Sequence, residues 1–143
     1  MRFMMLVKAS KESEAGALPS KELLAAMGQF NEEMAKAGVL IAGEGLQPSS
    51  KGTRVTFSGS KRTVTDGPFA ETKELLAGFW MIDVKSKADA LAWASRVPFT
   101  DGEVLEVRQV FEASDFPAEV FPPEAAAREQ ELRDELQRKA AKR

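Results

Sequence analysis

The 143-residue sequence contains no cysteine, no histidine and no tyrosine. Without cysteine there is no disulfide scaffold, no thiolate nucleophile and no Cys-based zinc or iron–sulfur site. Without histidine the commonest metal ligand and the usual general base near neutral pH are gone. The missing tyrosine removes a phenolic acid as well. Neither sign of charge is in excess. Twenty Lys+Arg against 22 Asp+Glu leave a net charge of −2, so no basic field is available to hold nucleic acid. Long apolar runs are missing too: nothing approaches the roughly 18 residues that cross a bilayer. Phe3-Met4-Met5-Leu6-Val7 ends at Lys8, too soon for a signal peptide. The expectation is a cytoplasmic protein without a membrane segment. What is present, 43% hydrophobic and 29% charged residues, is enough for one ordinary globular core.

Residues 3–7 read as a strand buried on both faces, and the polar stretch to Pro19 as a loop. Ser20 is placed to cap a helix, with Glu22 in its first turn. Leu23, Met27, Phe30 and Met34 then form one apolar stripe, and Gly38 supplies the stop. Met27, Phe30 and Met34 read as core. Residues 39–43 predict a second strand, broken by Gly45 and Pro48. Residues 53–58 alternate, with Val55 and Phe57 on one face; Gly59-Ser60 suits a type II′ turn, and 61–65 return as the partner. Residues 77–84, containing Trp80, predict a further strand. Ser86 caps a second helix whose Ala88, Leu91, Ala92 and Ser95 share a face, ending near Pro98. Residues 103–111 form the last strand, Leu105, Val107 and Phe111 opposing Glu106 and Arg108.

The order β-α-β, hairpin, β-α-β gives an α+β, ferredoxin-like split βαβ protomer. Both helices fall on one face of the sheet. The other face mixes Arg54, Thr56, Glu106 and Arg108 with apolar positions. Packing it against a second copy would close a dimeric α/β barrel, so a homodimer is expected. Residues 1–113 form this domain, and 114–143 a C-terminal tail with a charged helical extension. In that tail Glu124/Arg128, Glu129/Arg133, Asp134/Arg138 and Glu135/Lys139 are spaced i,i+4, while Leu132 and Leu136 give a thin apolar edge. Phe116 and Phe121 would staple the tail to the body. It reads either as a solvated appendage or as an arm reaching a partner.

Chemistry concentrates in residues 65–74. Pro68 restricts Gly67, and a 67–70 turn places proline at its second position. A turn aspartate ordinarily accepts from the amide two residues on, which for Asp66 belongs to Pro68 and carries no hydrogen. Asp66 must therefore accept from another donor, such as the Phe69 N–H, or keep an oxygen for a ligand; it is the one weak catalytic candidate. Glu71 and Lys73 share a side if this stretch is extended, and together could move a proton. Glu44, between Gly43 and Gly45, sits where backbone or ligand approaches closely. Asn31 offers amide hydrogen bonds. Phe69 and Trp80 supply apolar wall. No spaced Asp/Asn cage or phosphate loop exists, so neither a metal nor a cofactor is expected.

Asp66-Gly67-Pro68-Phe69-Ala70-Glu71-Thr72-Lys73-Glu74, with Gly43-Glu44-Gly45-Leu46 before it and Gly78-Phe79-Trp80 and Val107-Arg108 after it, resembles the DGPF branch of the YCII-related (YciI-like) family. The resemblance covers about residues 1–113. It implies a ferredoxin-like protomer, a dimeric α/β barrel with a cleft in each subunit, and helical C-terminal extensions. It also implies a proposed His–Asp catalytic pair, with dehalogenation of an aromatic in one relative. This chain has no histidine; by spacing back from Gly38 the family's histidine falls near Met27, so that mechanism does not carry over. Two readings follow. In one, a small neutral or anionic organic molecule binds in the barrel cleft near the 66–69 loop, with Asp66 and Glu44 as polar anchors and Lys73 as charge partner. In the other, the protein is a non-catalytic regulatory module, linked through the resemblance to sigma factors, whose C-terminal helix makes the contact.

Overall fold

A computed structural model describes residues 1–142. Among these residues are six strands, β1 (Arg2–Lys8), β2 (Leu40–Gly45), β3 (Thr53–Ser58), β4 (Lys61–Asp66), β5 (Leu76–Asp83) and β6 (Leu105–Gln109), and four α-helices. The helices are α1 (Lys11–Glu14), α2 (Lys21–Lys36), α3 (Lys87–Ala94) and α4 (Pro123–Ala141). The chain divides into two compact units, Met1–Val110 and the segment from Phe111 onward.

In the first unit β2, β5, β1 and β6 lie side by side in that order, every neighbouring pair antiparallel. Each βαβ half therefore straddles a strand of the other half, which is the ferredoxin-like arrangement. Register fixes the faces, because side chains alternate along a strand and partners share a side. Met5 pairs with Trp80 and Val107, and Phe3 with Ile82. These side chains meet Phe30 and Met34 of α2 and Ala90 of α3 in the buried core. The Phe30 ring stands edge-on to Trp80 at 5.6 Å. Alternate positions, Met4, Leu6, Phe79 and Met81, are half-buried on the helix-free face beside exposed Glu106 and Arg108.

Several local expectations need correction. The hairpin does not join the main sheet: β3 and β4 pair only with each other, and all twelve of their residues are exposed. Arg54 and Thr56 thus leave the helix-free sheet face to Glu106 and Arg108. Its turn is the expected one, since Gly59 has φ 59° while Ser60 keeps a negative φ. The stretch before Pro19 is not all loop. Ser10 and Ser13 cap each other's backbone amides and wind the single turn of α1. The α3 face is also different. Ala90, Trp93, Ala94 and Val97 turn inward, and Leu91 is left exposed. The face that carries Trp93 together with Ala90, Ala94 and the following Val97 offers more apolar surface than the face of Ala88, Leu91, Ala92 and Ser95.

In the second unit, Phe111, Phe116 and Phe121 stack successively, at 4.9 and 6.0 Å between ring centroids. Helix α4 begins at Pro123 and carries Glu129–Arg133 and Glu135–Lys139 ion pairs on its surface. Among the described residues no helix is long and apolar enough to cross a membrane.

Candidate functional site

Helix α2 begins where the Ser20 hydroxyl accepts the Leu23 amide, 3.0 Å away, and ends at Gly38 with φ 74°. Its apolar stripe splits in two. Phe30 and Met34 are buried in the core, whereas Met27 and Leu23, one and two turns nearer the N-terminus, are only half-buried. Beneath them the sheet carries almost no side chains. Gly43 pairs with Trp80 and Gly45 with Gly78, so three glycines share the face that Trp80 presents to α2. A Cβ on Gly45 would meet nothing within 4 Å, and one on Gly43 would press into the Trp80 indole at 2.6 Å. Missing side chains on this floor, below Leu23 and Met27, go with a cavity of about 790 Å³.

The apolar walls are Val7, Leu23, Leu24, Met27, Trp80 and Phe99. Phe99 leads into the Thr100–Val104 connection, all of which borders the cavity, while Ser10, Glu12 and Ser13 border it from α1. Glu103 accepts from the Thr100 amide at 2.6 Å, which ties the connection together. At the inner end the Trp80 Nε1–H donates to Asn31 Oδ1 across 2.7 Å. Charge on the lining comes from Lys8, Glu12, Asp101 and Glu103. Among the described residues no group of three His, Cys, Asp or Glu could hold a metal ion.

The residues singled out in the sequence fall into two places. Asn31, Trp80 and Glu44 border the cavity. Glu44, however, pairs with Phe79, so its side chain shares the helix-free face and only its backbone is turned toward the hollow. Asp66, Phe69, Glu71 and Lys73 do not line it. Asp66 accepts from Thr53 Oγ1 at 3.2 Å, its cross-strand neighbour, and the Phe69 N–H donates to Ser49 Oγ at 3.1 Å. The amide expected to serve Asp66 is thus taken by a serine. Glu71 and Lys73 are not on one extended strand, because Thr72–Glu74 coils into a 3-10 turn. Met27, read as core, packs against the core cluster and also borders the cavity.

Residues 66–69 are latched to the 49–54 segment. Ser49 both accepts from Phe69 and donates its hydroxyl to Glu14, whose other oxygen takes the Ser49 amide at 2.8 Å. These two hydrogen bonds, the hydroxyl's first, hold the Glu14 carboxyl below its ordinary pKa against a smaller opposing effect of burial. The Gly67 amide donates to Gly52, the Gly67–Pro68 peptide is cis, and Arg54 lies over the Phe69 ring at 3.8 Å. Glu14 and Ser49 are 35 positions apart, and no local pattern connects them. The cavity's glycine floor was closer to legible, since three glycines fall within two strands.

A 59-residue stretch is 42% identical to an uncharacterized protein of Rhizobium meliloti (strain 1021). It covers 41% of this chain and 48% of that protein, so the match spans about half the length of the curated relative. Among solved structures, the chain is similar to 5-chloro-2-hydroxyhydroquinone dehydrochlorinase from Burkholderia phenoliruptrix AC1100, in complex with 2,5-dihydroxybenzoquinone. That similarity has 11% identity and a TM-score of 0.41 over 82% of this chain and all of that one, too distant to bear on function. The YCII-related domain matches residues 1–114, and the chain belongs to that family.

Proposed function

We propose that this protein binds a small, mainly apolar organic molecule in the cavity between α2 and the glycine floor of β2 and β5. The observation that carries the reading is the hollow itself. At about 790 Å³ it lies within the roughly 300–1,000 Å³ of small-molecule sites, and its apolar walls enclose the Trp80–Asn31 hydrogen bond while charged groups sit elsewhere on the lining. The site is set apart from the 66–69 loop, which serves as the latch described above.

Gly45→Leu tests it. The added side chain enters empty space without backbone strain, because Gly45 does not adopt a positive φ. Fragments that raise the melting temperature of the wild type should lose their effect on Gly45→Leu while the variant stays folded. A panel that shifts neither protein, or shifts both equally, overturns the reading.

We also propose that the protomer works as a homodimer through its helix-free sheet face. Support comes from Met4, Leu6, Phe79 and Met81 on that face, and from Val55, Phe57 and Val64 of the hairpin, at 50%, 69% and 66% exposure. Sedimentation equilibrium should find a dimer for the wild type and a monomer for Leu6→Glu. A monomeric wild type at high micromolar concentration refutes it.

A further inference from the structure

We infer that Asn31, oriented by Trp80, is the specificity-determining group of this cavity, presenting its Nδ2 hydrogens to a neutral acceptor oxygen, such as a ketone or amide carbonyl, on an otherwise apolar ligand. The inference rests on the ligand-binding reading above and names the class of molecule.

Indole nitrogen is a donor only, so the atom of Asn31 that faces it at 2.7 Å must be the carbonyl oxygen. The amide cannot turn over without opposing two donors. Its Nδ2 therefore points elsewhere, and it has no partner among the described residues. It is not sealed in, because no buried side-chain nitrogen or oxygen lacks a hydrogen bond. An accessible, unpaired NH₂ on a residue that borders the hollow offers two donors and no acceptor.

Gly43 keeps this arrangement in place. Any Cβ there would come within 3.0 Å of Trp80 Nε1 and 2.6 Å of Cδ1, the edge of the indole that carries the hydrogen bond. The charges on the lining complete the selection. Glu12, Asp101 and Glu103 stand against Lys8 alone. A carboxylate ligand would meet more repulsion than attraction, whereas a neutral carbonyl would not.

The test is a ligand-observed NMR titration of the full chain with acetophenone, ethylbenzene and benzoate, which share a ring and differ in the group offered to Asn31. The ratio of acetophenone to ethylbenzene affinity should fall about five-fold from wild type to Asn31→Ala, the weight of one neutral hydrogen bond. In Asn31→Asp the indole keeps an acceptor while the cavity gains one, so the ratio should fall further. Benzoate should bind the wild type more weakly than acetophenone. A ratio unchanged in both Asn31 variants, or benzoate the tighter ligand, overturns the inference and leaves the cavity reading standing. No binding of any probe to the wild type, or undiminished binding to Gly45→Leu, overturns the cavity reading and this inference with it.

Discussion

Adding one methyl group at Gly67 tests the latch most directly. A Cβ there would sit 1.8 Å from the Ser49 carbonyl oxygen and 2.7 Å from its carbon. Ordinary carbon–oxygen contact lies near 3.3 Å or beyond, so about 1.5 Å of separation must be found between two backbone segments. Moving them apart breaks the Gly67 N–H to Gly52 bond at 2.9 Å and the Phe69 N–H to Ser49 bond at 3.1 Å. Each is worth about 1 kcal/mol net, and forced overpacking costs about 1–3 kcal/mol. Gly67→Ala should therefore lose about 3–5 kcal/mol in urea unfolding, and the amides of residues 67 and 69 should lose hydrogen-exchange protection. A loss below about 1 kcal/mol, within the range of an unremarkable surface change, would refute the steric argument. Since residues 66–74 do not line the cavity, the folded fraction should bind fragments as the wild type does.

Three other substitutions probe the indole, the Glu14 carboxylate and the core. Gly43→Ala should push the Trp80 ring aside and lower the acetophenone-to-ethylbenzene ratio as Asn31→Ala does; an unchanged ratio counts against Trp80 as the orienting group. Glu14 has a folded pKa below its unfolded value, so the unfolded chain binds more protons as the pH falls. The stability advantage of wild type over Glu14→Gln should accordingly be full above the ordinary carboxylate pKa and vanish as acid passes through the lowered one; a constant difference from neutral to strongly acidic pH would contradict this. Ile82→Ala, at a fully buried position between Phe3 and Leu40, should cost about 2–5 kcal/mol by thermal or urea unfolding, and a cost under that range would mean the core closes over the gap.

Elements whose signal is local and periodic were legible in the sequence. The α2 stripe, its Ser20 cap and its Gly38 stop, the β5 strand around Trp80 and the Leu105/Val107 alternation all carry their geometry in consecutive residues. The βαβ order then followed from their succession. What escaped depends on meetings between distant positions. Ser49 takes the Phe69 amide from twenty residues away, so nothing around Asp66 revealed that its anticipated donor was already engaged. The hairpin's independence from the main sheet is likewise invisible, because an alternating strand looks the same whichever neighbour it pairs with. Half of the α2 stripe faces a hollow, and the reason lies in glycines on another element. Sequence drew attention to a motif rich in charged side chains, while the cavity owes its existence to side chains that are missing.

The last six residues of the connection from α3 to β6, Phe99 to Val104, all border the cavity. Connections tolerate insertion and exchange far better than paired strands do. Relatives with the same sheet could thus diverge in what they accept merely by lengthening, trimming or recharging these six positions. For anyone retargeting the protein, this is the natural place to randomise, with the strand ladder left untouched as the chassis.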